Sequence, residues 1–463
     1  MQPKFPVFLL FSALMLSVAA HGAETGPNGM LPESERGLQA CVMGLDPQDG
    51  DYFGLPHFSP KLARAHGWDR QCFWLDFQLS HGALLQKLPA EASLYVAFPV
   101  SAKIPTGGYE VDFFKAYLKQ KAGWSQDRIE HQIHFFSVDD PLIWAQDFAL
   151  QEGLGPQGQY LLHIGAGDAR VYRHFARSLT SQYPDTFTRV ELPAGVSGEG
   201  GDLALARFPN GRIGLVVGRH RVQHYFQDLG QPLTAGQVVP AASIAQVEAA
   251  YSQAYGVPAL IIPKKPLLEG WGTEELFHLD MVASFMGGQP SQVVVPQLQP
   301  GSLDHSTQAP LDPVLAQALQ REYDVVAEEL GQAGFTVQRA LLDDHPARSP
   351  TNSVKYRSRA GLPTVLLARY ARADAGSALS RLREALTQLQ NTAGDIYEHP
   401  SDDQVKQVNQ GFAAAWRALA DCDKDPDPSF QAQADAYVRA GFKVIPVPDY
   451  PWGAGSLHCQ FLH

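Results

Sequence analysis

The chain has 463 residues, of which 45% are hydrophobic and 18% charged; this is ordinary globular composition, with interior enough for one large domain or two smaller ones. A formal net charge of −12 argues against a nucleic-acid binder, whose affinity comes from basic surface set against phosphates. An acidic surface attracts cations, but its commoner role is solubility, so it does not name a substrate.

Residues 1–23 have the form of a signal peptide. Lys4 supplies the positive start, an apolar stretch runs over 5–20, and small residues offer cleavage after Ala19, Ala20 or Ala23. That stretch is short for a membrane helix, which needs roughly 20 apolar residues. No later stretch is apolar enough to span. The expectation is an exported protein, periplasmic or extracellular, with no membrane span in the mature chain. Residues 24–88 are rich in Gly, Pro and polar side chains with little periodicity. They predict an irregular N-terminal extension packed on a main domain of residues 89–463.

From there the chain alternates short β-rich runs with helical segments. Strands are expected over residues 94–98, 134–138 and 160–164, and helices over 109–121 and 169–178. Residues 203–208 and 213–217 flank Pro209-Asn210-Gly211, the strongest hairpin signal in the chain. A helix over 241–255 leads to a strand at 259–262. Further on, strands are expected at 293–295, 335–337, 364–367, 443–447 and 457–461, and helices at 312–333, 378–389, 402–420 and 430–440. Such alternation predicts an α/β protein. No sequence-level repeat is visible, and no glycine-rich nucleotide motif opens a helix after a strand.

Four cysteines, Cys41, Cys72, Cys422 and Cys459, allow three pairings in an oxidising compartment. Cys41 and Cys72 share the N-terminal region and are the expected disulfide. Cys422 is then a spare thiol, and Cys459 stays reduced.

Four short segments carry the chemistry: Trp144-Ala145-Gln146-Asp147, Gly198-Glu199-Gly200-Gly201-Asp202, His278-Leu279-Asp280 and Gly455-Ser456-Leu457-His458-Cys459. A guanidinium is charged and delocalised, and so resists nucleophiles. Two carboxylates gripping its N–H groups localise the charge and make the central carbon more electrophilic. Asp147 and Asp280, each flanked by apolar residues, are the candidates, since a carboxylate in such surroundings is rarely unpaired. His278 stands two residues from Asp280, the spacing that puts both on one face of a strand, and is the candidate proton carrier. Cys459 is the candidate nucleophile, although a thiol near a terminus is more commonly a buried filler. Glu199 and Trp144 are candidate substrate contacts, and the glycines beside Glu199 permit a close backbone approach. The aspartates of residues 421–427 alternate as calcium ligands do, but that loop lacks the glycine and final glutamate of an EF-hand and reads better as a solvated acidic loop.

With these residues in place, the chain resembles the guanidino-modifying (pentein) superfamily, and is most similar to the catalytic domain of the protein-arginine deiminases. The resemblance rests on Trp144-x-Gln146-Asp147, Glu199-Gly200-Gly201-Asp202, His278-x-Asp280 and Leu457-His458-Cys459, and covers roughly residues 90–463. It implies a pentein five-bladed α/β propeller of pseudo-fivefold ββαβ repeats with the active site on its axis. It also implies roles. Cys459 attacks the guanidinium carbon, Asp147 and Asp280 hold the guanidinium, and His278 protonates departing ammonia and then activates water. Arginine becomes citrulline.

Gln146 is retained from a calcium-site pattern, but Phe148 and Leu150 stand where the vertebrate-type enzymes carry calcium-binding glutamates. No cofactor is therefore expected. The expected partner is an arginine-containing protein or peptide, or a small guanidine such as arginine or agmatine, the latter turned over by a deiminase or an amidinotransferase. The non-enzyme alternative is a catalytically dead extracellular binding protein.

Overall fold

The computed structural model describes residues 30–44, 55–56, 58–99, 107–138, 150–154, 159–233, 239–265, 278–288, 290–303, 310–344, 349–372, 376–394, 396 and 399–450. The segment 1–23 expected to be a signal peptide, Trp144, Gln146, Asp147, Cys459 and the strand expected over 457–461 lie outside the described residues.

The chain is a mixed α/β protein whose described strands form five three-stranded sheets. In order they are β1 (Ala40–Gly44), β2 (Ser93–Pro99) and β3 (Ile133–Val138); β4 (Leu150–Leu154), β5 (Tyr160–Gly165) and β6 (Phe187–Leu192); and β7 (Leu203–Arg207), β8 (Ile213–Gly218) and β9 (Ala259–Ile262). The last two sheets comprise β10 (Ser284–Gly287), β11 (Gln292–Leu303) and β12 (Thr336–Asp344), then β13 (Val354–Arg357), β14 (Pro363–Tyr370) and β15 (Lys443–Asp449). From the second sheet onward each unit is an antiparallel pair followed by a parallel third strand.

A parallel neighbour requires a crossover, and helices supply it. These are α4 (Gly107–Gln120) and α5 (Gln126–His131), then α6 (Arg170–Gln182), then α7 (His220–Asp228) and α8 (Ala241–Tyr255). They continue with α9 (Pro313–Gln332) in the fourth unit, and α10 (Ala378–Gly394), α11 (Asp402–Cys422) and α12 (Phe430–Arg439) in the fifth. Local chemistry fixes the boundaries. Gly211 takes φ +82° in the β7–β8 turn. Asp312 caps α9 ahead of Pro313, accepting from the backbone N–H groups of Val314 and Leu315. Ser401 and Gln404 form a capping box on α11.

Each sheet shares a buried core with the next. Val42, Ala97 and Phe136 of the first sheet pack with Leu162 and Ile164 of the second. Leu192, at the end of the second, joins Leu203, Leu215 and Ile261 of the third. Ala206, Val216 and Ile262 of the third meet Phe285, Val293 and Leu342 of the fourth. Val294 and Ala340 of the fourth meet Val365 and Leu367 of the fifth. Val354, Leu366 and Val447 of the fifth then pack with Met43, Leu94 and Val96 of the first. The succession returns to its start.

The segment read as an irregular extension differs from that expectation. It contains β1 and the helices α1 (Pro60–His66), α2 (Trp68–Phe77) and α3 (Ala83–Leu85), with a π-helical turn at Gln78–Gly82 between the last two. β1 pairs in parallel with β2 across the expected boundary at residue 88, so the first sheet draws on both sides of it. Ahead of β1, a 3-10 turn at Glu33–Glu35 ties three sheets together. Glu35 forms a two-pronged ion pair with Arg207 of β7 at 2.5 and 2.8 Å, and Glu33 pairs with Lys355 of β13 at 3.2 Å. Gly287 ends β10 so close to this turn that an added Cβ would stand 2.8 Å from Glu35 Oε1 and Ser34 Oγ.

The expected Cys41–Cys72 disulfide does not form: Cys41, Cys72 and Cys422 are all free thiols. Cys41 is sealed in the core between the first and fifth sheets, whereas Cys72 packs against the separate core under α10 and α11. The two sulfurs belong to different interiors. Burial pushes both thiols up to about 12, so neither is a ready thiolate.

Candidate active site

The described candidate residues all stand just ahead of the first strand of a sheet. Glu199 and Asp202 precede β7, and His278 and Asp280 precede β10. Asp147 precedes β4 by three positions in sequence, though its placement is outside the described residues. The two-residue spacing of His278 and Asp280 would put both on one face of a strand, but the segment enters a 3-10 turn over Leu279–Met281, with the Met281 N–H donating to His278 O at 3.2 Å. The tight turn still brings the two side chains together, with His278 Nδ1 4.0 Å from Asp280 Oδ1.

The other ring nitrogen faces Glu199, His278 Nε2 lying 3.3 Å from Glu199 Oε1. A carboxylate only accepts, so this contact puts a proton on Nε2 and turns Nδ1 toward Asp280. Gly201 forms the floor beneath the ring, where an added Cβ would stand 2.6 Å from His278 Nδ1. The expected close backbone approach is thus realised at a single glycine under an imidazole.

Glu199 has a second partner. Arg221 Nη2 donates to Glu199 Oε2 at 2.6 Å, while its Nε pairs with Asp202 Oδ2. His220 Nε2 lies 2.6 Å from the same Asp202 oxygen. Burial alone would raise the Asp202 pKa, but Arg221 and then His220 outweigh it and hold the carboxyl at about 2. Burial likewise opposes the Arg221 charge, and Asp202 followed by Glu199 drives its pKa further up. Both visible oxygens of Glu199, expected to meet substrate, are engaged by protein groups.

Asp280 is held from the fifth sheet. Asn352, two positions ahead of β13, donates from Nδ2 to Asp280 Oδ2 at 3.0 Å in a buried setting. Ser349 Oγ ties the same segment to Met281 O at 2.7 Å, and Tyr437 OH donates to Pro350 O at 2.6 Å. Arg221, His220 and Asn352 belong to none of the four sequence segments that carry the chemistry. The signals available were modest: Arg219-His220-Arg221 at the end of an apolar strand offers cations to buried acids, and Ser349-Pro350-Thr351-Asn352-Ser353 is a polar run immediately before a strand.

Among the described residues, Glu199, Asp202 and His278 bring ligand atoms within 4.8 Å of one another, the spacing of a metal cage. One oxygen of each carboxylate, Glu199 Oε2 and Asp202 Oδ2, is already paired with the Arg221 guanidinium, so a cation there would have to compete with that partner. The acidic loop at 421–427 is similarly committed. Asp427 accepts from the N–H and hydroxyl of Ser429, Asp425 accepts from the Ala378 N–H, and Asp421 pairs with Lys424. Among the described residues no helix is long and apolar enough to cross a membrane.

No protein-family model and no curated protein matches the chain.

The Asp202 network makes a prediction about acid stability. A carboxyl whose folded-state pKa is depressed contributes stability above its unfolded value, lost as pH falls through the folded one. For Asp202 that window runs from 3.8 down to about 2. Asp202→Asn is expected to be less stable at neutral pH, with a flatter fall in urea midpoint across this window; a wild-type slope in the variant would contradict the assignment.

Proposed function

We propose that the chain is a guanidine deiminase built as a five-bladed α/β propeller, acting on peptidyl-arginine. The observation that carries this reading is the buried His278, oriented by Glu199 on one side and set against an Asn352-held Asp280 on the other. Five consecutive three-stranded sheets, each sharing a core with the next and the fifth with the first, support the propeller. Residues just ahead of the first strands would then gather at one end of its axis, where Asp147 is proposed to join them. Cys459, ten positions beyond the end of β15, is proposed to complete the site.

In the first half of the reaction the Cys459 thiolate attacks the guanidinium carbon while Asp147 and Asp280 hold the N–H groups. His278 donates a proton to the departing nitrogen, and ammonia leaves a Cys-bound thiouronium. His278 then takes a proton from water, whose oxygen attacks the same carbon. The C–S bond breaks as the hydroxyl proton passes through solvent to the released ammonia, giving the ureido product, ammonium and the thiolate. Glu199, through Nε2, holds the imidazole so that Nδ1 carries these protons.

Incubating the reduced protein with an arginine peptide, and separately with free arginine and agmatine, should yield citrulline-type product and ammonia, fastest with the peptide. Product only from the free guanidines would move the substrate to the small-molecule class. Transfer to an added amine would make the protein an amidinotransferase, and no product from any of them would end the enzymatic reading. Because Arg221 already occupies an oxygen of each acid beside His278, a chelator is expected to leave the rate within about twofold; a sharp loss in EGTA would restore a calcium requirement.

A further inference from the structure

We propose that Asp168 is the positioning residue that sets Glu199 against His278. Its effect on turnover rests on the deiminase reading; its effect on His278 does not.

Asp168 lies in the turn between β5 and α6, on the second sheet, and touches none of the site residues directly. Its buried carboxylate serves three donors at once. Oδ2 accepts from the backbone N–H groups of Gly165 at 2.5 Å and Gly198 at 3.1 Å, and Oδ1 accepts from Ser197 Oγ at 2.7 Å. Ser197 Oγ in turn accepts from the N–H of Glu199 at 3.1 Å. The carboxylate therefore reaches the backbone of Glu199 through a single hydroxyl. On the opposite side α8 closes the clamp: the Ser197 N–H donates to Tyr251 OH at 3.1 Å, and Tyr255 OH donates to Ser197 O at 3.0 Å.

Space permits this segment little other path. A Cβ on Gly198 would stand 1.8 Å from His163 O, and one on Gly165 would stand 2.4 Å from Val196 O. The two loops meet backbone to backbone, and Asp168 fills the junction. Only an acceptor-only group satisfies three converging donors. An asparagine of the same shape has one acceptor oxygen and turns an NH2 toward the N–H and O–H groups. Burial pushes the Asp168 carboxyl pKa up, against the three hydrogen bonds, so the charge is kept at a cost that a surface loop would not require.

The test uses Asp168→Asn and, as a milder cut in the same chain of contacts, Ser197→Ala. Two quantities are measured in the full-length protein. One is kcat and KM for the arginine peptide across pH; the other is the titration of the His278 ring by NMR with labelled histidine, its signal assigned through His278→Gln. Among the described residues, the charged groups facing that ring are Glu199, Asp280 and Asp202, with Arg221 bridging Glu199 and Asp202. With Glu199 no longer held against Nε2, the ring is expected to titrate at lower pH than in the wild type, because a nearby carboxylate favours the imidazolium. Asp168→Asn should lower kcat/KM by about ten- to a hundredfold, chiefly in kcat, with Ser197→Ala smaller in the same direction. If Asp168→Asn fails to fold, Ser197→Ala decides alone. An unmoved His278 titration in a folded variant overturns the proposal, even where activity falls. An enzyme inactive on every guanidine whose His278 titration moves as expected retains the positioning role and loses only the deiminase reading.

Discussion

Gly201→Ala is expected to fold and yet to lose deiminase turnover by at least about a hundredfold. The substituted methyl would sit 2.6 Å from His278 Nδ1 and 2.9 Å from its Cγ and Cε1. Real side-chain contacts do not come so close, so either the ring or the backbone at Gly201 must move. The ring is buried and tethered to Glu199; Gly201 itself lies in the 3-10 turn Gly200–Asp202, whose last residue is paired with Arg221 and His220. Overpacking of this kind costs roughly 1–3 kcal/mol of stability, which a chain of this size tolerates. Catalysis is less forgiving, since displacing a proton carrier by about 1 Å can cost on the order of a hundredfold. Cys459→Ser supplies the floor for comparison, because it removes the proposed attacking thiolate with almost no change in shape. Retained turnover in Cys459→Ser would remove that thiol from the mechanism. Wild-type kinetics in Gly201→Ala would show that His278 does not work from this position.

Glu35→Ala is the substitution expected to cost most in stability. It removes the paired carboxylate from Arg207, whose side chain is only 6% exposed in the pair and keeps its hydrogen bond to Gly211 O. Breaking a buried ion pair from one side leaves an uncompensated charge and costs about 3–5 kcal/mol. The loss also disconnects the segment before β1 from β7 and from Gly288, whose N–H points at Glu35 Oε1. Urea unfolding should therefore show a markedly lower midpoint for Glu35→Ala. The double variant Glu35→Ala with Arg207→Met should recover part of the loss, because no charge is then stranded. A single variant as stable as the wild type would mean that Arg207 finds another acceptor, and the three-sheet tie would fall with it.

Where local pattern and final structure agree, the elements carry their own signals. The helix expected over 241–255 is α8 to the residue, and the strand at 259–262 is β9. Pro209-Asn210-Gly211 makes the hairpin its turn chemistry predicts. β1, β4, β6, β10 and β13 stand outside the expected strands, and three of them are of another kind. β13 reads Val354-Lys355-Tyr356-Arg357, and its buried lysine pairs with Glu33, more than three hundred residues earlier, and donates to Ser353 O. β10 is four residues long, and β1 sits in polar, glycine-rich text. These first strands are specified by what packs around them rather than by an alternating pattern of their own.

The reactive groups can be read from the chain alone: an imidazole two residues from a carboxylate, a glycine-flanked acid, and a thiol at residue 459. Their partners come from folding: His278 meets Glu199 across 79 positions of sequence, Arg221 pairs with two acids, and Asn352 holds Asp280. The reason is that a charged side chain's partner inside a protein is fixed by which loops converge, while local sequence fixes only the elements those loops join.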